Sequence, residues 1–320
     1  MANTLRDLIV KYQGIDEETM SHLTKKSGIL QTALARPASH NVYHKYKKVV
    51  ALPSFSIREV SGSMTAVTVN REVYDSYLKE ISALQREDIA ICRNWPGGPE
   101  AFFEDQRLPF LESWGQKASN AIVYGTNSTF GDVQSFPGMW QITNATARVL
   151  HETGTSGSTT SIFAAKWDSS SCAIIFNKEQ ASAGNFLKSE VLNQGEPTMS
   201  TTSTTGPAEQ PVYEVLWTSN LGMFSASLYD MARYDRIQDD TGDQPTAANM
   251  DKLLDYVKAD PTNTFLYMNR TSRRLLKEVK DSKLELGAFD TDYGIYLDRW
   301  NGIRMVIDDN ILDTETTALD

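Results

Sequence analysis

Residues 99–125 read PEAFFEDQRLPFLESWGQKASNAIVYG. Pro99 suits the first helical position, where a missing N–H is no loss, and Gly125 supplies the stop. Between them Leu111, Trp114, Ala118, Ala121 and Ile122 share one face at helical spacing. The pattern predicts one long helix over about 99–124, with Pro109 kinking it or marking its true start. Glu100, Glu104, Asp105 and Glu112 make its first half acidic. The cluster Asn94-Trp95-Pro96-Gly97-Gly98-Pro99 is a turn leading into it.

Working upstream, Tyr74 to Cys92 reads as another helix. Val42 to Val73 reads as extended chain, rich in Val and Tyr, with Phe55 and Ile57 alternating with serines. Turns fall at Leu52-Pro53 and Ser61-Gly62-Ser63. The first half of this ribbon carries Lys45, Lys47, Lys48 and Arg58 against a lone Glu59. It is either a solvated strand pair or an arm that lies on an acidic neighbour. Nearer the start, Thr4-Leu5-Arg6-Asp7 resembles a capping box. Leu5, Leu8, Ile9 and Tyr12 follow at helical spacing up to Gly14, and a second short helix is expected over Glu17 to Lys26. Helices this short bury their apolar faces elsewhere, or cap the chain's own domain.

Downstream of Phe136-Pro137-Gly138 the text turns to strands: Ser161 to Trp167 and Ala173 to Phe176 around a turn at 168–171, then Val212 to Trp217 and Met223 to Leu228, with Ala232 to Ile237 leading out. Residues 193–211, poor in apolar side chains, read as a long exposed loop or hairpin, and Asp239 to Thr246 as a linker. The end reads helix (Met250 to Lys258), strand (Thr264 to Met268), helix (Thr271 to Val279) and strand (Gly302 to Ile307), then an acidic tail. The whole is an α+β pattern without internal repeats.

Composition narrows the function. A formal charge of −10 over 320 residues argues against a surface built to grip nucleic acid, which needs concentrated Lys and Arg. Cys92 and Cys172 are the only cysteines, too few for a disulfide framework. Met1-Ala2-Asn3-Thr4 lacks the blocks of a signal peptide, and no apolar run approaches a membrane span. A protein made in a reducing cytoplasm, with no membrane partner, is the expectation.

Catalytic constellations are wanting. His40 and His44 are four apart, but Pro37 and the strand-like text after them argue against a shared helix face, and there is no HExxH. Gly154-Thr155-Ser156-Gly157-Ser158-Thr159 lacks the lysine of a phosphate loop, so it reads as a plain loop. No nucleophile elbow occurs, and His22 and His151 have no recognisable triad partners. No cofactor and no metal are expected, and an enzyme would have to rest on carboxylates alone.

The order of the motifs carries a resemblance. Val50-Ala51-Leu52-Pro53 running to Arg58 and Ser61-Gly62 resembles the "Leu-Pro, Arg, Gly turn" segment of phage major capsid proteins. Val123-Tyr124-Gly125-Thr126-Asn127 and Phe136-Pro137-Gly138-Met139 resemble the turn that ends their long helix and the segment that follows it. Arg236-Ile237 is similar to the end of a strand pair in that family. Phe265-Leu266-Tyr267-Met268-Asn269-Arg270-Thr271 and Trp300-Asn301-Gly302-Ile303-Arg304-Met305-Val306 resemble two segments of the Hong Kong ninety-seven type. The match runs over nearly the whole chain.

The resemblance implies a major capsid protein that self-assembles as hexamers and pentamers into the icosahedral shell of a tailed double-stranded DNA phage. It implies an N-terminal arm (1–40), an extended β-loop with its base (41–78), a peripheral domain on a long spine helix (79–240) and an axial domain (245–320). Because the Met-Asn-Arg segment follows the other strands instead of preceding them, a rearranged topology is expected. Packing of Phe265 in one sheet with the 212–237 strands would count against it. The short front end implies a separate scaffolding protein, beside a portal and a cement protein, with packaged DNA met only non-specifically. Assembly in the host cytoplasm and residence in the virion follow. The expected inter-subunit contacts are Leu8, Ile9 and Tyr12 in the arm, and Lys45, Lys47, Lys48 and Arg58 in the loop lying over a neighbour's Glu100, Glu104 and Asp105. A tail-tube or decoration protein, or a carboxylate-dependent enzyme, are the rival readings.

Overall fold

The computed structural model describes residues 27–316, apart from 52, 65, 156, 180–186, 202–208, 241, 280–282 and 291–294. The expected helices over 4–12 and 17–26 lie outside these residues. The described chain opens with α1 (Gly28–Thr32), β1 (Ala35–Pro37), β2 (Tyr43–Ala51), β3 (Asn70–Tyr77) and β4 (Lys79–Asp88). Helices α2 (Ile89–Asn94), α3 (Gly98–Val123) and α4 (Met139–Ala145) follow, then β5 (Val149–His151), β6 (Thr160–Lys166) and β7 (Cys172–Phe176). Next come β8 (Lys188–Val191), β9 (Thr198–Thr201), β10 (Glu209–Ser225) and β11 (Met231–Ile237). The chain closes with α5 (Ala247–Val257), β12 (Thr264–Met268), α6 (Arg270–Glu278), β13 (Leu284–Asp290), β14 (Ile295–Trp300) and β15 (Ile303–Ile307).

Two sheets and a projecting hairpin result. The first sheet runs β1-β7-β10-β4, with β8 and β9 also pairing with β10. The second runs β13-β14-β15-β12-β6-β11-β5. In the second, period-2 alternation sends Phe163, Ala165, Phe265 and Tyr267 into one core, and Ile162, Ala164, Leu266 and Met268 into another. Both faces are buried, so β6 and β12 read as continuous apolar runs. Helices α5 and α6 cover one face with Leu253, Val257, Leu275 and Leu276.

Helix α3 lies against the other face and spans 26 residues, close to the predicted extent, with Pro109 inside it and not at its start. Its buried positions Leu111, Trp114, Ala118, Ala121 and Ile122 join a core shared with both sheets. Gly125 follows at φ +49, and a Cβ there would lie 2.1 Å from the Gly138 nitrogen, so the turn admits only glycine. The C-terminal segment closes beneath the helix. Ser119 Oγ and the Ile29 N–H donate to Asp308 at 2.8 and 3.0 Å, and the Tyr124 hydroxyl donates to Glu315 at 2.6 Å.

Three expectations need correction. Tyr74 to Cys92 is not one helix: its residues finish β3, form β4 and only then begin α2. The helix formers Glu80, Ala83, Leu84, Gln85, Arg86 and Glu87 are overridden by a ten-residue antiparallel register, Lys79↔Leu221 to Asp88↔Val212. Val212 to Trp217 and Met223 to Leu228 are largely one strand, β10, ending at Ser225. Gly222, near its C-terminal end, marks no break; a Cβ there would sit 3.0 Å from both Ile175 Cγ1 and the Tyr77 carbonyl. Of the two readings of 193–211, the structure takes the hairpin, with Thr198–Thr201 paired to Glu209–Val212.

The third correction concerns the C-terminal unit. Phe265 pairs with Ala165 of β6, and the other edge of β6 carries β11. Residues 231–237 and 264–268 therefore share one sheet, which counts against a rearranged topology and against a boundary at 240–245. The turn at 168–171 passes the chain from one sheet to the other, so β6 and β7 are consecutive but lie in different sheets. Strands β13 and β14 were not anticipated.

Candidate inter-subunit contact site

Strands β2 and β3 form a two-stranded ribbon that belongs to neither sheet. Its register sets Tyr43 opposite Tyr77, Lys45 opposite Asp75, Lys47 opposite Val73 and Lys48 opposite Glu72. A lone two-stranded ribbon is marginal in water, and this one is anchored at its base. The Leu78 N–H donates to the Val42 carbonyl at 2.8 Å and the Ser76 hydroxyl to the Met223 carbonyl at 2.7 Å. His44 and Tyr46 rest against Phe224, with ring centroids 4.7 and 5.4 Å away. Burial, and then nearby Arg36 and His40, push the His44 pKa below its ordinary value. Its Nδ1 accepts the Ser39 N–H at 3.1 Å, as a neutral ring can.

Beyond the strands the ribbon ends in an irregular tip. The Gly62 N–H closes a turn on the Glu59 carbonyl at 2.9 Å, Ser61 sits at φ 77, and the Arg58 guanidinium donates to the Gly62 carbonyl. The tip is apolar and naked: Phe55 is 93% exposed, Ile57 105%, Val60 98% and Met64 73%. A concentration of large apolar side chains touching almost nothing of their own chain marks a surface awaiting a partner.

The predicted residues fall as follows. Leu8, Ile9 and Tyr12 lie outside the described residues. Lys45, Lys47 and Arg58 are exposed on the ribbon and Lys48 is half-buried. The ribbon is less basic than its first strand suggests, because Asp75 approaches Lys45 at 3.9 Å and Glu72 faces Lys48. Glu100, Glu104 and Asp105 are exposed at the start of α3, and Arg107 pairs with Glu104 at 3.0 Å. Within one subunit the structure brings neither group to the other. Sequence reading by charge missed the apolar tip, whose signal was the alternation of Phe55 and Ile57 with serines. Among the described residues no group of three or more His, Cys, Asp or Glu is placed to hold a metal, and no helix is long and apolar enough to cross a membrane.

Comparison with known proteins gives three findings. A family model described as major capsid protein GP7 matches residues 13–318. No curated protein sequence matches the chain at a significant level. Among solved structures, that of bacteriophage Epsilon15 superposes with a TM-score of 0.53 at 14% identity, covering 89% of this chain and 88% of that one. The capsid of bacteriophage JBD30 gives 0.48 at 12% identity, covering 88% and 90%.

Proposed function

We propose, given that the chain belongs to the major capsid protein GP7 family, that its projecting ribbon is the arm by which neighbouring subunits hold one another. The protein is a structural subunit and not an enzyme: it self-assembles into the head shell of a tailed phage and resides in the virion capsid. The observation that carries the role of the ribbon is the apolar tip, Phe55 to Met64, left bare by its own chain. In a closed lattice each such contact recurs with every copy, so modest individual free energies accumulate through avidity.

The α3 helix with the β4–β10 sheet forms the peripheral domain on this reading, and the seven-stranded sheet with α5 and α6 forms the axial domain. Axial residues then come from both sides of β7 to β10 in sequence. A scaffolding protein, a portal and a cement protein are the further partners such a shell would take. Packaged DNA would meet a net acidic wall without sequence-specific contacts.

The test is assembly of a tip variant. Phe55→Ser with Ile57→Ser should leave the subunit folded, since neither side chain is buried in it. Burial of each at an interface contributes about 1.5–3 kcal/mol, so shell yield by electron microscopy and sedimentation should fall at least about tenfold. A wild-type yield would overturn the proposal. Charge plays the smaller part. Lys45→Glu with Lys47→Glu should lower yield at low ionic strength and less so at high salt, because exposed pairs contribute only about 0–1 kcal/mol each. Equal losses at both ionic strengths would mean the lysines do not act through charge.

A further inference from the structure

Strand β4 runs for ten residues, Lys79–Asp88, about twice the usual strand length. One edge carries β10 in unbroken register, from Lys79↔Leu221 to Asp88↔Val212. Among the described residues no strand lies on the other edge. Edges are commonly blunted by brevity, a proline or a bulge, and β4 has none of these. Its middle is bare as well, with Glu80, Ser82, Ala83 and Leu84 exposed. Such an edge offers a row of N–H and C=O groups to a strand laid beside it.

The strand is suited to its own image. Antiparallel strands oppose residues that both direct their N–H and C=O groups at the partner. Those residues alternate along β4, so two copies can meet only with a residue, and not a peptide bond, on the axis between them. Ser82, Ala83 and Leu84 are the central choices. Centring on Ser82 sets Lys79 against Gln85 and Glu80 against Leu84, which leaves the charges unmatched. Centring on Leu84 sets Glu80 against Asp88, a like pair. Centring on Ala83 sets Lys79 against Glu87 and Glu80 against Arg86, each twice by symmetry, with no like charges opposed. Arg86 is held by Glu214 of its own β10 at 2.7 Å, on the face where the copy's Glu80 would lie. The same register puts the smallest side chain of the strand on the axis. The two Leu84 side chains, each 43% exposed, then lie diagonally across it within reach of one another.

We propose that β4 pairs antiparallel with β4 of a second copy, about a two-fold axis through Ala83. Self-complementary charge selects a copy of this chain as the occupant of the edge. The contact is isologous, whereas neighbours within a ring of five or six subunits are related head to tail. It therefore joins one ring to the next. It is independent of the ribbon and is made largely by main-chain hydrogen bonds.

The test is a disulfide in assembled shells. Directly opposed antiparallel residues have Cα atoms about 4.5–5.5 Å apart, inside the range of roughly 4.4–6.8 Å that a disulfide spans. The native cysteines are buried. Mildly oxidised shells of Ala83→Cys should give a linked dimer on a denaturing gel, lost on reduction. Glu80→Cys, whose copies would lie about 20 Å apart, should stay monomeric. Ala83→Cys shells without the dimer, or equal dimer from both variants, overturn the proposal. Charge gives a second readout. Lys79→Glu should lower shell yield several-fold, and Lys79→Glu with Glu87→Lys should restore it. A double variant no better than the single overturns the self-paired register, and this comparison decides even where Ala83→Cys forms no shells.

Discussion

Arg233→Ala is expected to destabilise the subunit by about 3–5 kcal/mol, the cost of breaking a buried ion pair from one side. Arg233 is 0% exposed in the middle of β11, an unusual place for a cation. Two groups make it tolerable. Its Nη2 reaches Asp235 Oδ2 at 2.8 Å, and its guanidinium lies 3.6 Å from the ring centre of Trp140 on α4. A desolvated cation over an indole adds roughly 2 kcal/mol. Removing the arginine leaves Asp235, 3% exposed, with the half-exposed His151 at 2.7 Å as its remaining partner. It also removes the contact between the guanidinium on β11 and Trp140 on α4. Urea unfolding followed by tryptophan fluorescence measures the effect, and Arg233→Ala, Asp235→Ala beside each single variant completes a cycle. The double variant should be less destabilised than the sum of the singles. Additivity would mean that the pair is not coupled, and a loss below about 1 kcal/mol would sink the structural role itself.

Legibility from sequence followed how locally each element is determined. Helix α3 was readable because a proline start, a one-sided apolar face and a glycine stop all lie within its own residues. The buried strands β6 and β12 were readable because burial on both faces leaves continuous apolar runs. Strand β4 was not, since Glu80 to Glu87 favour helix and only the distant partner β10 makes them extended. The place of Gly222 within β10 is set by equally distant contacts: the backbone of Tyr77 and the side chain of Ile175, far away in sequence, require its small size. At the contact site the lysines were visible as charge, but Asp75 and Glu72 opposite them became visible only with the register. The open edge of β4 could not be read at all, because the strand exists only once β10 has paired with its other edge.

The second large effect is one of pH and belongs to Glu315. This carboxylate is 1% exposed, accepts from the Tyr124 hydroxyl at 2.6 Å and the Ser161 hydroxyl at 2.5 Å, and sits in the field of Arg233 and Asp235. Burial is the leading influence and raises its pKa to about 7, against 4.5 for the free group; the two hydroxyls and Arg233 lower it, and Asp235 raises it. A pKa raised by folding means that the folded state holds the proton more tightly. The resulting stability is fully present below about pH 4.5 and is lost as pH rises through about 7. At 1.36 kcal/mol per unit the loss is roughly 3 kcal/mol. Glu315→Gln imitates the protonated form, with its oxygen able to accept from Tyr124 and its amide able to donate to Ser161. The variant should exceed the parent by less than about 1 kcal/mol near pH 5 and by roughly 3 kcal/mol near pH 8. Asp308, also buried with its pKa raised by burial, titrates in the same sense in both proteins, so the difference between them isolates Glu315. Parallel unfolding midpoints from pH 5 to pH 8 would show that Glu315 keeps an ordinary pKa in the folded subunit. A widening gap would show that the closure of the C-terminal segment beneath α3 weakens as this one proton leaves.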